Sequence, residues 1–115
     1  MGSYKQTLRR LAVGDDRTAL ADPAGLDCRT RAFAQLGAMF ALGAGAASYR
    51  AGVEDAVAAG ATYDEIVDAL VAVMPIAGGA RVTSTAPQLG LALGYDVDAA
   101  LEALDDDHRN RAAEL

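Results

Sequence analysis

Apolar positions recur along this chain at helical spacing, and no stretch alternates with a period of two for long enough to be a strand. Ser3 to Val13 predicts a short helix with Leu8, Leu11 and Ala12 on one side, Lys5, Arg9 and Arg10 elsewhere, and Gly14 as its stop. A loop containing Asp22-Pro23 is expected from Asp15 to Gly25. Asp27 then reads as the N-cap of a helix from Cys28 to about Leu42, where Phe33, Leu36, Gly37 and Phe40 keep the i, i+3, i+4, i+7 spacing. Beyond Arg31 the only polar side chain of that helix is Gln35, a pattern that predicts a central helix buried nearly all round.

Gly43-Ala44-Gly45 ends this helix, and a second is expected from Ala46 to Ala59, closed by Gly60. Arg50 and Glu54 stand four apart on it, a spacing that permits an exposed pair. Thr62-Tyr63-Asp64-Glu65 fits a capping box, with Ile66, Val67, Leu70, Val71, Val73 and Met74 following as a mostly buried helix. Pro75 is expected to kink or end it. Residues 80–93 form the next helix, with Pro87 either distorting it or opening its second half, and Gly94 closing it. Asp96 caps a last helix carrying Val97, Ala100, Leu101 and Leu104, after which Asp105-Asp106-Asp107 and the residues that follow read as a solvated, frayed tail. The reading is an all-α, single-domain bundle of five or six helices. Its parts are an N-terminal helix and loop (1–25), a helical domain (26–104) and an acidic tail (105–115).

Composition changes this picture in one respect. Among the 115 residues, 27 are alanine, 2 are Phe and none is Trp. Small side chains let helix backbones approach closely but supply little apolar bulk for a self-contained core, so an oligomer that completes its core between subunits is expected. The net charge of −6 argues against non-specific nucleic-acid binding, which needs clustered Lys and Arg. Charge is also uneven: residues 1–31 hold six basic and four acidic groups, residues 32–115 four and twelve. A basic N-terminal segment of this kind either lies against an acidic neighbour or is solvated surface. A single cysteine excludes an intramolecular disulfide framework and any cysteine metal cluster. No segment reads as a leader or a membrane span, so the expected compartment is the cytoplasm.

Three segments carry a family resemblance. Leu26-Asp27-Cys28-Arg29-Thr30-Arg31 opens the apolar helix, Ala56-Val57-Ala58-Ala59-Gly60-Ala61-Thr62 runs into Asp64-Glu65-Ile66, and Ala72-Val73-Met74-Pro75-Ile76-Ala77-Gly78-Gly79-Ala80 follows. In their order and spacing, from Leu26 to Gly94, the chain resembles the carboxymuconolactone decarboxylase and alkyl hydroperoxidase D-like family. The resemblance implies an all-α fold, assembly as trimers or hexamers, and sites in cavities at or near subunit contacts. It also implies two chemistries whose residues are missing. The peroxidase branch uses a Cys-x-x-Cys pair, a His four residues later and an upstream Glu. These positions correspond here to Gly45, Ser48, Gly52 and a residue near Ala32 or Phe33. The decarboxylase branch commonly places a Glu and a His where Ser48 and Gly52 stand. A hydroxyl forms no disulfide, and neither Ser nor Gly titrates near neutrality, so dithiol chemistry is not expected.

The candidate pocket residues are Gln35, Ser48, Tyr49, Gly52 and Arg81. Ser48 and Tyr49 occupy the family's reactive turn, and Gly52 is expected to leave empty space there. The alternative is a filled pocket. Arg81, or else Arg50, would anchor a carboxylate, and Gln35 serves either a pocket or a helix–helix hydrogen bond. Thr83, Ser84 and Thr85 read as a helix surface or a cap before Pro87. Cys28 and His108, each the only one of its kind, read more readily as incidental than as reactive thiol or metal ligand. No cofactor or metal is implied. The expectation is a family member without the redox dithiol that binds, and if an enzyme decarboxylates, isomerises or performs lactone chemistry on, a small apolar or carboxylated molecule. Alternatives are a non-catalytic assembly protein on the same fold and a residual peroxidase using Cys28.

Overall fold

The computed structural model describes residues 4–15 and 25–113. Among these are six helices and no strand: α1 (Tyr4–Ala12), α2 (Cys28–Leu42), α3 (Ala46–Ala58), α4 (Tyr63–Ala77), α5 (Gly79–Ala92) and α6 (Val97–Ala113). The all-α, single-domain reading holds. Most of the loop expected from Asp15 to Gly25 lies outside the described residues. No described helix is long and apolar enough to cross a membrane.

The starts of three helices follow from local chemistry. The Asp27 carboxylate accepts the Thr30 N–H at 2.6 Å, so α2 begins at Cys28. At α4 the Thr62 hydroxyl accepts the Glu65 N–H at 3.1 Å while Glu65 accepts the Thr62 N–H at 3.0 Å, the complete reciprocal box. Asp96 accepts the Ala99 N–H at 3.0 Å and opens α6. The second Glu65 oxygen is bound by Arg29, whose guanidinium also donates to the Gly60 carbonyl at 3.2 Å and lies 5.3 Å from the Phe33 ring centroid. Glu65 thus caps its own helix and ties the α3–α4 turn to the start of α2. Both side chains of that pair are well exposed, so solvent limits its worth to under about 1 kcal/mol.

Helices α2 to α5 form the core. α2 lies beside α3 and α4, and α5 closes the other side against the same two helices. Leu36, Phe40, Tyr49, Val53, Ala56, Ile66, Leu70 and Leu89 are buried at its centre. The expected stripe of α2 points inward, with Leu36 and Phe40 fully buried. The expectation that α2 is buried all round does not hold within one chain: Ala34, Ala38, Ala41 and Leu42 are exposed, because the neighbouring helices cover only one side. Among the described helices, α6 touches only α5, and α1 touches none.

Neither proline ends its helix. Pro75 and Pro87 both lie inside continuous helices, and α4 ends at Gly78 instead. Each removes the N–H that would bond the carbonyl four residues back, at Val71 and Thr83. Both of those residues are exposed, so water satisfies the freed carbonyls at little cost. Similarly, Asp105 to Ala113 is not frayed but continues α6, supported by Arg109–Asp106 and Arg111–Asp107 pairs at 3.2 and 3.3 Å.

The Asp27 cap has a pH signature. Hydrogen bonds from the Thr30 N–H, then from the Thr30 hydroxyl, together with the nearby charge of Arg29, hold its carboxyl below the ordinary value of 3.8. A lowered folded-state value means that this stability is present above the ordinary value and lost as pH falls through the folded one. Asp27→Asn keeps a capping oxygen but no titrating charge. Urea denaturation should therefore show the difference between wild type and Asp27→Asn shrinking to nothing towards strongly acid pH; a constant difference at all pH values would contradict the assignment.

Candidate functional site

The α2–α3 bend is built from two glycines in backbone conformations that side chains avoid. Gly43 (φ 70°) donates its N–H to the Met39 carbonyl as the left-handed C-cap of α2, and Gly45 (φ 95°) precedes the first turn of α3. Two buried hydroxyls finish the last turn of α2. Tyr49 donates to the Met39 carbonyl at 3.4 Å, its ring 5.5 Å from that of Phe40, and Thr85 donates to the Phe40 carbonyl at 3.5 Å. The Phe40 carbonyl, near the helix end, is thereby partnered by a side chain from α5, while Tyr49 from α3 adds a further donor to the Met39 carbonyl that Gly43 and Ala44 already use.

Arg81, from the first turn of α5, lies over this bend. A Cβ at Gly43 would run into its Nη1, so the glycine serves both the backbone turn and the approach of the guanidinium. Arg81 forms no ion pair or hydrogen bond with any described residue. It borders a recess of about 260 Å³ shared with Gly43, Gly45, Tyr49, Ser84, Thr85 and Gln88. One free guanidinium, backbone at a helix start and several hydroxyl or amide side chains suit a carboxylate. None of these residues is an Asp, Glu or His, so the recess contains no group suited to proton transfer near neutrality.

The five candidate residues divide. Tyr49 and Arg81 meet at this recess. Ser48 is exposed and does not line it. Gln35 is exposed in a separate groove of about 480 Å³ between α2 and α3, with Cys28, Arg31 and Asp55. Gly52 does not leave the expected empty space: Leu36 Cδ2 lies 2.8 Å, and the Met39 Cε and Sδ atoms 3.4 Å, from where its Cβ would stand. The missing side chain has been replaced by close contact of α2 with α3, not by a cavity. Arg50 faces another recess, of about 500 Å³, where Glu54 also stands. His108 is exposed on α6, and no group of three or more His, Cys, Asp or Glu suited to a metal occurs among the described residues.

Sequence reasoning assigned Thr83 to Thr85 to a surface or cap. Thr83 is exposed, with its hydroxyl donating to the Gly79 carbonyl at 2.9 Å, but Thr85 is buried and walls the recess. Its position two residues before a proline gave no sign of this; the helix simply continues through Pro87. Gln88 was missed entirely, although its place seven residues after Arg81 puts both on one side of a continuous helix.

A single-domain α-bundle with a recess at the bend between its first two core helices defines the class. Residues 9–89 match the Carboxymuconolactone decarboxylase family, and the chain belongs to that family. The match runs from the middle of α1 into α5 and leaves α6 outside. Comparisons with curated proteins and with solved structures gave no match.

Because Gly52 is filled by its neighbours, Gly52→Ala should destabilise the chain by about 1–3 kcal/mol, the usual cost of overpacking a tight core. The midpoint of urea unfolding measures it. A neutral or stabilising substitution would mean that space exists there after all.

Proposed function

We propose that this chain is a carboxymuconolactone decarboxylase-like protein that binds a small carboxylated molecule at the Arg81 recess and works without thiol redox chemistry. The observation that carries this reading is the Arg81 guanidinium, which pairs with no carboxylate of the described residues and borders a polar recess next to Gly45. At about 260 Å³ the recess lies just below the usual range of ligand cavities, which restricts the ligand to a few heavy atoms or to a carboxylate end projecting from a larger molecule. Arg81 binds the carboxylate in its planar fork, and Ser84 and Gln88 orient it. Isomerisation, lactone chemistry and loss of CO2 from a carboxyl other than the one Arg81 holds each develop negative charge nearby, and a fixed guanidinium stabilises that charge. Proton delivery falls to water, since the Tyr49 hydroxyl is engaged with the Met39 carbonyl.

Titration calorimetry with acetate, succinate and a lactone carboxylic acid tests the reading. Arg81→Ala should weaken binding about 10- to 100-fold, the range of a charge-assisted hydrogen bond, with Arg81→Lys intermediate and Arg50→Ala without effect. No binding by the wild type, or equal binding by Arg81→Ala, would sink it.

A peroxidase based on Cys28 has one feature in its favour, the exposure of this thiol beside Arg31 at the start of α2. A single thiol needs an external partner to complete a cycle. Organic hydroperoxide consumption, with dithiothreitol supplied as the reductant, should be the same for wild type and Cys28→Ser; loss on substitution would restore that reading.

A further inference from the structure

Between α2 and α4 runs an open groove of about 740 Å³. That volume falls inside the range of roughly 300–1,000 Å³ that small-molecule sites occupy, whereas the Arg81 recess falls below it. The groove exists because Ala34 and Gly37 on α2 and Ala69 and Ala72 on α4 supply too little side chain to fill the space between the helices. Gly37 is unlike Gly52 in this respect. The nearest atom to a Cβ added there would be Val73 Cγ2 at 3.7 Å, an ordinary van der Waals contact, so the helices leave an apolar trough and not a tight crossing.

One end of the trough is charged, and its charges do not cancel. Arg29 is committed to the protein, bound by Glu65 and by the Gly60 carbonyl with its guanidinium 5.3 Å from the Phe33 ring centroid. Asp68 stands one turn beyond Glu65 on α4 and forms no ion pair with any described residue. Two carboxylates and one guanidinium therefore line the groove, an excess of one negative charge beside an apolar wall. From Asp68 to Val73 the wall runs about 7.5 Å along α4, the reach of a short alkyl chain or of a ring on a short arm.

We propose that the α2–α4 groove binds a small apolar amine, a primary ammonium on a short alkyl or arylalkyl tail, with its nitrogen against Asp68 and its tail in the trough over Gly37 and Ala72. The sign of the uncompensated charge selects the class. An ammonium gains a charge-assisted hydrogen bond to Asp68, a neutral alcohol of the same length gains only the apolar contact, and a carboxylic acid is repelled. The groove and the Arg81 recess share no residue and call for ligands of opposite charge, so either site stands or falls without the other.

The test is an NMR titration of the isotope-labelled chain with hexylamine, hexanol and hexanoate at neutral pH, where the amine is protonated. The amides of Gly37 and Ala72 report the groove, and those of Gly43 and Gly45 the Arg81 recess. At the groove hexylamine should bind most tightly, hexanol about threefold more weakly, as befits one exposed ion pair, and hexanoate weakest. From butylamine to hexylamine each added methylene should strengthen binding about two- to fourfold, because the tail leaves water. Asp68→Asn should bring hexylamine to the level of hexanol. Ala34→Leu, at an exposed helical position, should weaken both at least fivefold by filling the trough, with circular dichroism confirming the fold of each variant. Absence of shifts at Gly37 and Ala72, which is also the result if a second copy or another segment of the chain covers the groove, would overturn the proposal. So would hexanoate binding there as tightly as hexylamine, indifference to tail length, or an unchanged preference for the amine in Asp68→Asn.

Discussion

The close approach of α2 and α3, with Leu36 and Met39 laid against the backbone of Gly52, is the constraint on which the rest of the site depends. It brings the Tyr49 ring beside Phe40 and turns its hydroxyl to the last turn of α2. The same contact removes the volume a larger side chain would need at position 52. A side chain at position 52 therefore fits only if α2 and α3 move apart.

What closes at Gly52 leaves an opening one turn away. The glycines at 43 and 45 let the chain reverse direction in a short space, and Arg81 lies across the reversal without an anion among the described residues. An arginine paired with a carboxylate would be ordinary surface structure. Without one, and with Tyr49, Thr85 and Gln88 around the recess, it becomes the cation around which a ligand can be argued.

The core that supports this arrangement is small. Ten buried apolar residues, four of them Ala or Val, are shared among four helices, while many large apolar side chains on all six helices stay exposed. A composition so rich in alanine gives close helix contacts but cannot cover every apolar face within one chain. The open trough between α2 and α4 is one result of this shortage of bulk.

Helix starts were legible because capping is local: Asp27, Thr62 with Glu65, and Asp96 each act within three residues of themselves. The inward stripe of α2 and the all-α class were legible for a related reason, since periodicity reports burial along a single element. The resemblance reached the family by the same kind of short motif. What lies in the space beside Gly52 was not legible, because Leu36 and Met39 reach it from another helix, and an absent side chain reads alike as a cavity or a close contact. Nor was the clip of Arg29 to Glu65, whose partners stand 36 residues apart. Whether the prolines would end their helices was not legible, because the cost of a missing N–H depends in part on whether solvent reaches the orphaned carbonyl, a matter of exposure and not of residue type. Sequence by itself therefore determined the helices and the family. Only the tertiary structure decided which of the remaining polar groups meet, because burial and pairing arise between elements, not along them.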